Sequence, residues 1–513
     1  MKITISGTVS VTLLLLLLLH RAVSKGLHPT QPVQLATPPR GWNSYDSFTW
    51  IITEEEFLQN AELVSQRLLS HGYEYVVVDY RWYRRKIPGP YPEPLEVDVV
   101  DEWGRVIPDP DRWPSSKGGK GFREVAEKVH RMGLKFGIHI MRGISTQAVD
   151  SDTPILDTTK GGAYEEGGKK WTASEVGIRE RTCVWMSPGF MSVNTTLGAG
   201  RAFLQSIHQQ YADWGVDLVK HDCVFGDNLD TEEISIVSEI LRKLSRPMLY
   251  SVSPGGSVIT PAIAEEVSEV VNMYRIGMDG WDTWEDLAAH FDVSRDYAAA
   301  NMIGVSGLLG KSWPDLDMLP LGWLAVPGSN QGPCRKCDLN IEEQITMMTL
   351  WAMAKSPLMF GGDMRNLDDI TYRLITNPTI LEINAFSSNN KETGKLNVNG
   401  TLVDSDSYSR LRKTVQTVEV ANSVPEGIRS WVATGRRGEI YLAFFNLNQA
   451  KTVISTQLSS LAVELPGVNL GDSYKCVEVW SGEDCQIIDS SVLLDVEPHG
   501  AALLVFTSNI LQL

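Results

Sequence analysis

The polar run Thr53-Glu54-Glu55-Glu56 is followed by Phe57, Ala61, Val64 and Leu68 at helical spacing, and Gly72 ends the segment. The run reads as a capping box, in which a threonine and the glutamate three residues on satisfy the free N–H groups of a helix start. The apolar stripe then fixes the buried face of that helix. Residues 76–79, Val-Val-Val-Asp, show no such period. A short continuous apolar run of this kind predicts a strand buried on both faces. The same rhythm returns downstream. Phe122, Val125, Ala126, Val129 and Met132 line one face of a second helix, Gly133 stops it, and 135–140 forms the next strand. Further strands are predicted at 218–222, 248–253, 270–276, 313–318 and 358–361, and the opening segment 41–45 makes eight. Eight such runs alternating with helices predict a TIM (β/α)8 barrel over residues 37–390.

Polar residues 387–394 break the rhythm. Beyond them, runs at 430–433, 440–445 and 501–506 are separated by Gly, Asn and Pro turns, which predicts a C-terminal all-β antiparallel sandwich over 391–513. Its expected role is to pack on the barrel. Residues 145–198 far exceed an ordinary connection and carry Trp171, Cys183 and Trp185, so they are expected to wall or cover a pocket. At the start, Lys2, seven consecutive leucines and Ala22-Val23-Ser24 read as a signal peptide over 1–24, followed by a linker over 25–36. The apolar run stops at His20, short of the about 20 residues a membrane anchor needs. No later segment is expected to span a bilayer.

The 513 residues carry a formal charge of −17, which argues against nucleic acid or an anionic membrane surface as partner. A neutral carbohydrate fits better, and fifteen Trp and fifteen Tyr supply flat faces for it, although most should be core. Six cysteines in an exported chain can all pair, and Cys476–Cys485, Cys334–Cys337 and Cys183–Cys223 are expected. A zinc site at Cys334-Arg335-Lys336-Cys337 lacks a second ligand pair, so no metal is expected. Export opens routes to the extracellular space, the cell wall or apoplast, or an acidic vacuole or lysosome. Asn194-Thr195-Thr196 and Asn399-Gly400-Thr401 are then glycosylation sequons.

Catalytic groups of this barrel lie at the carboxyl ends of strands, where Asp79, Asp222, Asp279 and Asp317 fall. Two carboxylates presented from two strand ends are the minimum equipment for breaking a glycosidic bond. Lys220 and Asp222 face the same way on a strand, so the ammonium is expected to stand beside Asp222 and keep it ionised. Taken singly, Asp222 reads as a strand-end carboxylate and Asp279 as a helix cap. Their joint position on one barrel rim favours the catalytic reading.

The ordered segments Gly41-Trp42-Asn43-Ser44, 75–79 with Trp82, 133–138, Trp214-Gly215-Val216-Asp217 through Lys220-His221-Asp222, Arg275 with Asp279, and Asp315-Leu316-Asp317-Met318 resemble glycoside hydrolase family 27, the melibiase family that contains α-galactosidases. The resemblance covers the barrel and its β tail. It implies a retaining mechanism with Asp222 as nucleophile, Asp279 as acid/base and Arg275 orienting the site. It further implies that Trp42, Asp79, Lys220 and Met318 bind the sugar. No cofactor is expected, because protonation and carboxylate attack carry the reaction. Three positions depart from the family pattern. Tyr80 stands where a second aspartate is usual, and its bulk is expected to narrow the space for the C6 hydroxymethyl of galactose, favouring β-L-arabinopyranosides. His139 replaces a tyrosine. Ser253, within 251–256, replaces a segment whose glutamate contacts the 2-hydroxyl, a feature similar to the α-N-acetylgalactosaminidase branch. An inactive carbohydrate-binding barrel and an isomerase or aldolase on sugar phosphates remain as alternatives.

Overall fold

The computed structural model describes residues 35–87, 95–187, 189–393, 398–402, 427–460, 465, 474–488 and 491–508. The expected signal peptide and most of the linker lie outside the described residues. Eight parallel strands, β1 (Arg40–Asn43), β2 (Tyr75–Val78), β3 (Lys135–Met141), β4 (Leu218–Asp222), β5 (Leu249–Ser253), β6 (Met273–Arg275), β7 (Gly310–Asp315) and β8 (Leu358–Phe360), pair in chain order, and β8 returns to β1. A parallel bridge from Leu319, just past β7, to Phe360 joins the two remaining edges. This is the TIM barrel that the alternating pattern predicts.

The helix α1 (Glu54–Arg67) begins with the expected capping box: Thr53 Oγ1 accepts from the Glu56 N–H at 3.3 Å, and Glu56 Oε2 accepts from the Thr53 N–H at 3.1 Å. Its buried Phe57 meets Trp42, Trp113 and Phe136. In the next unit, α2 (Arg123–Arg131) buries Val125, Ala126 and Val129 before β3. Alternation along β3 sends Phe136 outward onto Phe57 and Phe122, whereas Gly137 and His139 point inward. A methyl on Gly137 would lie 2.9 Å from Val77 and 3.3 Å from Leu218. Glycine therefore lets the neighbouring strands fill the interior. Tyr75, Val77, Leu218, Leu249, Met273 and Met359 make that interior layer, a packed floor under the carboxyl ends of the strands.

The C-terminal elements form a sandwich. Ser388–Glu392, Ile428–Thr434, Ile440–Asn446, Ala501–Ser508 and Tyr474–Glu478 make a five-stranded antiparallel sheet, and Val398–Leu402, Thr452–Gln457, Ser491–Val496 and Ile487–Ile488 make a four-stranded one. The run 440–445 is continuously apolar because both of its faces are covered. Leu442 and Phe444 point into the sandwich core with Ile454 and Leu504, whereas Tyr441, Ala443 and Phe445 join the barrel core. The Phe445 ring lies 5.0 Å from that of Phe291. The tail thus packs on the barrel, and no helix among the described residues is long and apolar enough to cross a membrane.

Candidate active site

The strand ends open onto a cavity of about 150 Å³. Asp79 follows β2, His139 lies on β3, Lys220 and Asp222 end β4, Arg275 ends β6, and Asp317 follows β7; all reach its wall. Asp279, four residues past Arg275, stands at the mouth with its side chain 63% exposed. Met318 and Tyr80 complete the predicted residues found there.

Three connected groups set the charges. Asp79 accepts from Asn43 Nδ2 at 2.8 Å, from its neighbour's Tyr80 N–H at 2.8 Å and from Lys220 Nζ at 3.3 Å. Burial raises its pKa, but Lys220, His139 and these hydrogen bonds outweigh it and bring the carboxyl down to about 2. Asp222 accepts from the Cys223 N–H at 2.6 Å and pairs with His139 Nε2 at 3.1 Å. Burial again raises the pKa, and the His139 bond with the charges of His139, Arg275 and Lys220 more than cancels it, so Asp222 is held below the usual carboxylate value. Arg275 Nη1 donates to Asp317 at 2.9 Å and to Asp279, while Nη2 donates to the Gly255 carbonyl. Although much of Asp279 is open to solvent, the protein lining the cleft still withholds bulk water from one side. That desolvation, helped by Asp317 and opposed by Arg275, raises its pKa. One carboxyl is tuned down and the other up, a division that suits a base or nucleophile beside an acid.

Several expectations need correction. Lys220 does share the cavity with Asp222, but its ammonium is bonded to Asp79 at the end of β2, two strands away, and the direct partner of Asp222 is His139 on the adjacent β3. Trp42 does not reach the cavity. Asn43 turns inward to Asp79, so the preceding side chain on β1 must turn outward, where Trp42 packs on Phe48 and Phe57 and donates to the Gly362 carbonyl at 2.8 Å. Ser253 is buried beside Asp222 in the β4–β5 register without forming part of the cavity wall. Trp42→Phe is therefore expected to cost about 1–3 kcal/mol of stability through the lost hydrogen bond and volume, while KM stays within about twofold. Thermal unfolding and steady-state kinetics on the same preparation check both.

Cys183–Cys223 and Cys476–Cys485 are disulfides, with Cα separations of 5.7 and 5.4 Å. The expected Cys334–Cys337 bond is absent, and both thiols are free. These cysteines flank the strand Arg335–Lys336, whose partner is Trp323–Leu324. An extended chain sets residues three apart about 10 Å from each other and on opposite faces, too far for an S–S bridge.

Sequence reasoning did not assign Tyr45, Asp46 and Trp281 to the wall, nor Asp317 to sugar contact, yet all four line the cavity, together with Trp185 from the insertion that was expected to wall it. Tyr45 succeeds Asn43 on the inward side of the chain, with its ring 5.7 Å from Tyr80 and 5.8 Å from Trp281. Trp185 comes from the long insertion, which Cys183–Cys223 ties to the residue after Asp222.

The family model for alpha galactosidase A matches residues 191–386, and the one for the alpha galactosidase C-terminal beta sandwich domain matches 426–506. The crystal structure of a GH27 β-L-arabinopyranosidase from Geobacillus stearothermophilus, in complex with arabinose, is 32% identical, covers 92% of this chain and 97% of its own, and superposes with a TM-score of 0.73. The chain belongs to glycoside hydrolase family 27. This GH27 chain is also 22% identical over 92% of its length, and 86% of the relative's, to an alpha-galactosidase of Cyamopsis tetragonoloba. It shares its fold with alpha-galactosidase I of Mortierella vinacea, at 19% identity and a TM-score of 0.60 over 94% and 98% of the two chains. It is an O-glycosyl hydrolase.

Proposed function

We propose that this GH27 enzyme is an exported, retaining exo-glycosidase that removes terminal β-L-arabinopyranosyl or α-D-galactopyranosyl residues and accepts the former at least as readily. The observation that carries this reading is the meeting of Asp222 and Asp279, tuned in opposite senses, on one cavity of about 150 Å³. A volume of that size takes one six-membered ring, which supports release of a terminal sugar rather than internal cleavage. Asp222, ionised, attacks the anomeric carbon while Asp279 transfers its proton to the departing glycosidic oxygen. Asp279, now a carboxylate, then takes a proton from the water that attacks the glycosyl ester, and Asp222 is released. Arg275 holds Asp279 against Asp317 throughout, a positioning role. Asp79, Lys220, His139, Tyr80 and Met318 are assigned to the sugar.

Tyr80 supports the arabinopyranose preference. Its ring lies on the cavity wall, 5.8 Å from His139 and 5.9 Å from Trp185, rather than turned into outer packing. β-L-Arabinopyranose has the ring stereochemistry of α-D-galactopyranose without the hydroxymethyl that this phenol would crowd. The GH27 relative named for that activity points the same way. Ser253 is no part of the wall and so gives no support to the α-N-acetylgalactosaminidase alternative, which rests instead on a 32% identical Bacillus halodurans relative named for that activity. The two disulfides suit the oxidising route that a signal peptide over 1–24 would open. Within this reading the barrel at 37–390 is the catalytic domain, and 391–513 braces it.

The test is a side-by-side assay of the mature chain on aryl β-L-arabinopyranoside, α-D-galactopyranoside and α-N-acetylgalactosaminide, with the anomer first released read by NMR. Retention and a kcat/KM on the arabinopyranoside equal to or above that on the galactoside are expected. Inversion overturns the mechanism, and a strong galactoside preference overturns the specificity. Tyr80→Asp is expected to raise the galactoside-to-arabinopyranoside ratio of kcat/KM roughly tenfold or more, by restoring room and a hydroxyl acceptor at C6.

A further inference from the structure

Five carboxyls of the described residues reach the cavity wall: Asp46, Asp79, Asp222, Asp279 and Asp317. Four of them are engaged, Asp79 by Asn43 and Lys220, Asp222 by the Cys223 N–H and His139, and Asp279 and Asp317 by Arg275. Asp46 is not. Neither of its carboxyl oxygens has a hydrogen-bond partner among the described residues, although the residue is as buried as His139, each 1% exposed. An unpaired buried carboxyl costs free energy, so its presence on a cavity the size of one sugar calls for a partner that arrives with the ligand. The Asp46 carbonyl accepts from the Ala325 N–H at 2.8 Å, which anchors the residue just past β1. Gly361, the residue after β8, continues the inward parity of Met359, whereas Leu358 and Phe360 belong to the outer core. A methyl on Gly361 would collide with the Asp46 carboxyl. The carboxyl therefore takes the inward position above Met359, at the end of β8. In an eight-stranded barrel that is diametrically opposite β4, which ends in Asp222.

We propose that Asp46 is a sugar-binding residue whose carboxyl hydrogen-bonds a ring hydroxyl across the pyranose from the reacting carbon, at C3 or C4. This rests on the glycosidase reading above and adds a specificity contact to it. With the anomeric carbon at Asp222, a single ring spanning the cavity turns its C3–C4 edge toward β8. Arabinopyranose and galactopyranose both carry hydroxyls there, so the contact selects the pyranose frame that the two sugars share, whereas Tyr80 sorts them by C6. The chemistry of the group fits. Burial, reinforced by Asp317 and opposed by Lys220, holds the Asp46 carboxyl well above the ordinary carboxylate value, so it keeps its proton while Asp222 has lost its own. A neutral carboxyl has a donor and an acceptor, the complement of a hydroxyl that gives and takes a hydrogen bond in the same place.

Asp46→Leu removes both hydrogen-bonding atoms at nearly unchanged shape, and Asp46→Asn keeps a donor and an acceptor. Both are assayed beside the parent chain on the aryl glycoside of whichever sugar it hydrolyses faster, arabinopyranose or galactopyranose, and on the 2-, 3- and 4-deoxy analogues of that glycoside. On the full sugar Asp46→Leu is expected to lower kcat/KM roughly tenfold or more, and Asp46→Asn to recover most of that loss. On the 3-deoxy or the 4-deoxy analogue, whichever lacks the partner hydroxyl, the parent and Asp46→Leu should differ by less than about threefold, while the 2-deoxy analogue keeps the full difference. Asp46→Leu is expected to unfold at or above the parent temperature, because the exchange removes a buried group that had no partner. No loss on the full sugar, equal losses on all four substrates, a loss that only the 2-deoxy analogue cancels, or a melting temperature several degrees lower overturns the Asp46 contact while the glycosidase reading stands. Hydrolysis of neither sugar by the parent chain overturns that reading, and the contact with it.

Discussion

Asp222→Asn is expected to reduce kcat by on the order of 10⁴-fold or more, with the fold intact. The amide keeps the shape of the carboxylate, and its carbonyl can still accept from the Cys223 N–H. Its nitrogen can face His139 Nε2 when that atom is an acceptor. What is lost is the negative charge and the ability to form a glycosyl ester. Thermal unfolding within a few degrees of the parent, together with measurable sugar binding by calorimetry, separates this loss from damage to structure. Removing the side chain altogether gives a sharper reading. In Asp222→Gly, azide can occupy the vacated space and attack the anomeric carbon from the face the carboxylate used. That is a single displacement, so the glycosyl azide should have inverted configuration. Unchanged turnover in either variant removes Asp222 from the proposed role.

The elements that could be read from the sequence are those fixed by local chemistry. The capping box at Thr53–Glu56 and the alternation along β3 depend on neighbours within a few residues, and both are present in the structure. The run 440–445 could be recognised as a strand, but not which of its residues would face the barrel, since both faces are apolar. The misassignment of Trp42 is a one-residue matter of parity. In a strand, neighbours face opposite sides, and the pocket residue is Tyr45, beyond the inward-facing Asn43. For Lys220 the same-face rule correctly put it in the cavity, yet the closest acceptor came from β2, about 140 residues earlier, which no spacing rule reaches. Cys334 and Cys337 were judged by proximity in sequence, whereas an extended backbone carries them apart.

Asp279→Ala is expected to act selectively, and its pattern of loss is more informative than its size. General acid catalysis contributes about 10²–10⁴-fold, and the contribution depends on how badly the departing oxygen needs a proton. An alkyl glycoside should lose rate near the top of that range. A dinitrophenyl glycoside, whose leaving group departs unprotonated, should retain most of its first step and stall at deglycosylation, where the missing carboxyl would have served as base. A burst of dinitrophenol followed by a slow steady state is the expected trace. Azide should restore turnover by attacking the glycosyl ester, and because two displacements have then occurred, the product should keep the substrate's configuration, opposite to the Asp222→Gly outcome. The pH profile follows from the direction of each shift. Asp222 must be ionised and sits below the ordinary carboxylate value, so the acid limb of kcat/KM should fall only under strongly acidic conditions. Asp279 must be protonated and is raised, so its loss of a proton sets the alkaline limb above the usual carboxylate range. In Asp279→Ala that alkaline limb should vanish for the dinitrophenyl substrate while the acid limb stays. An alkaline limb that survives the substitution assigns the proton to another group, with Asp315, pushed up to about 7 by burial and by Asp317, the next carboxyl to replace.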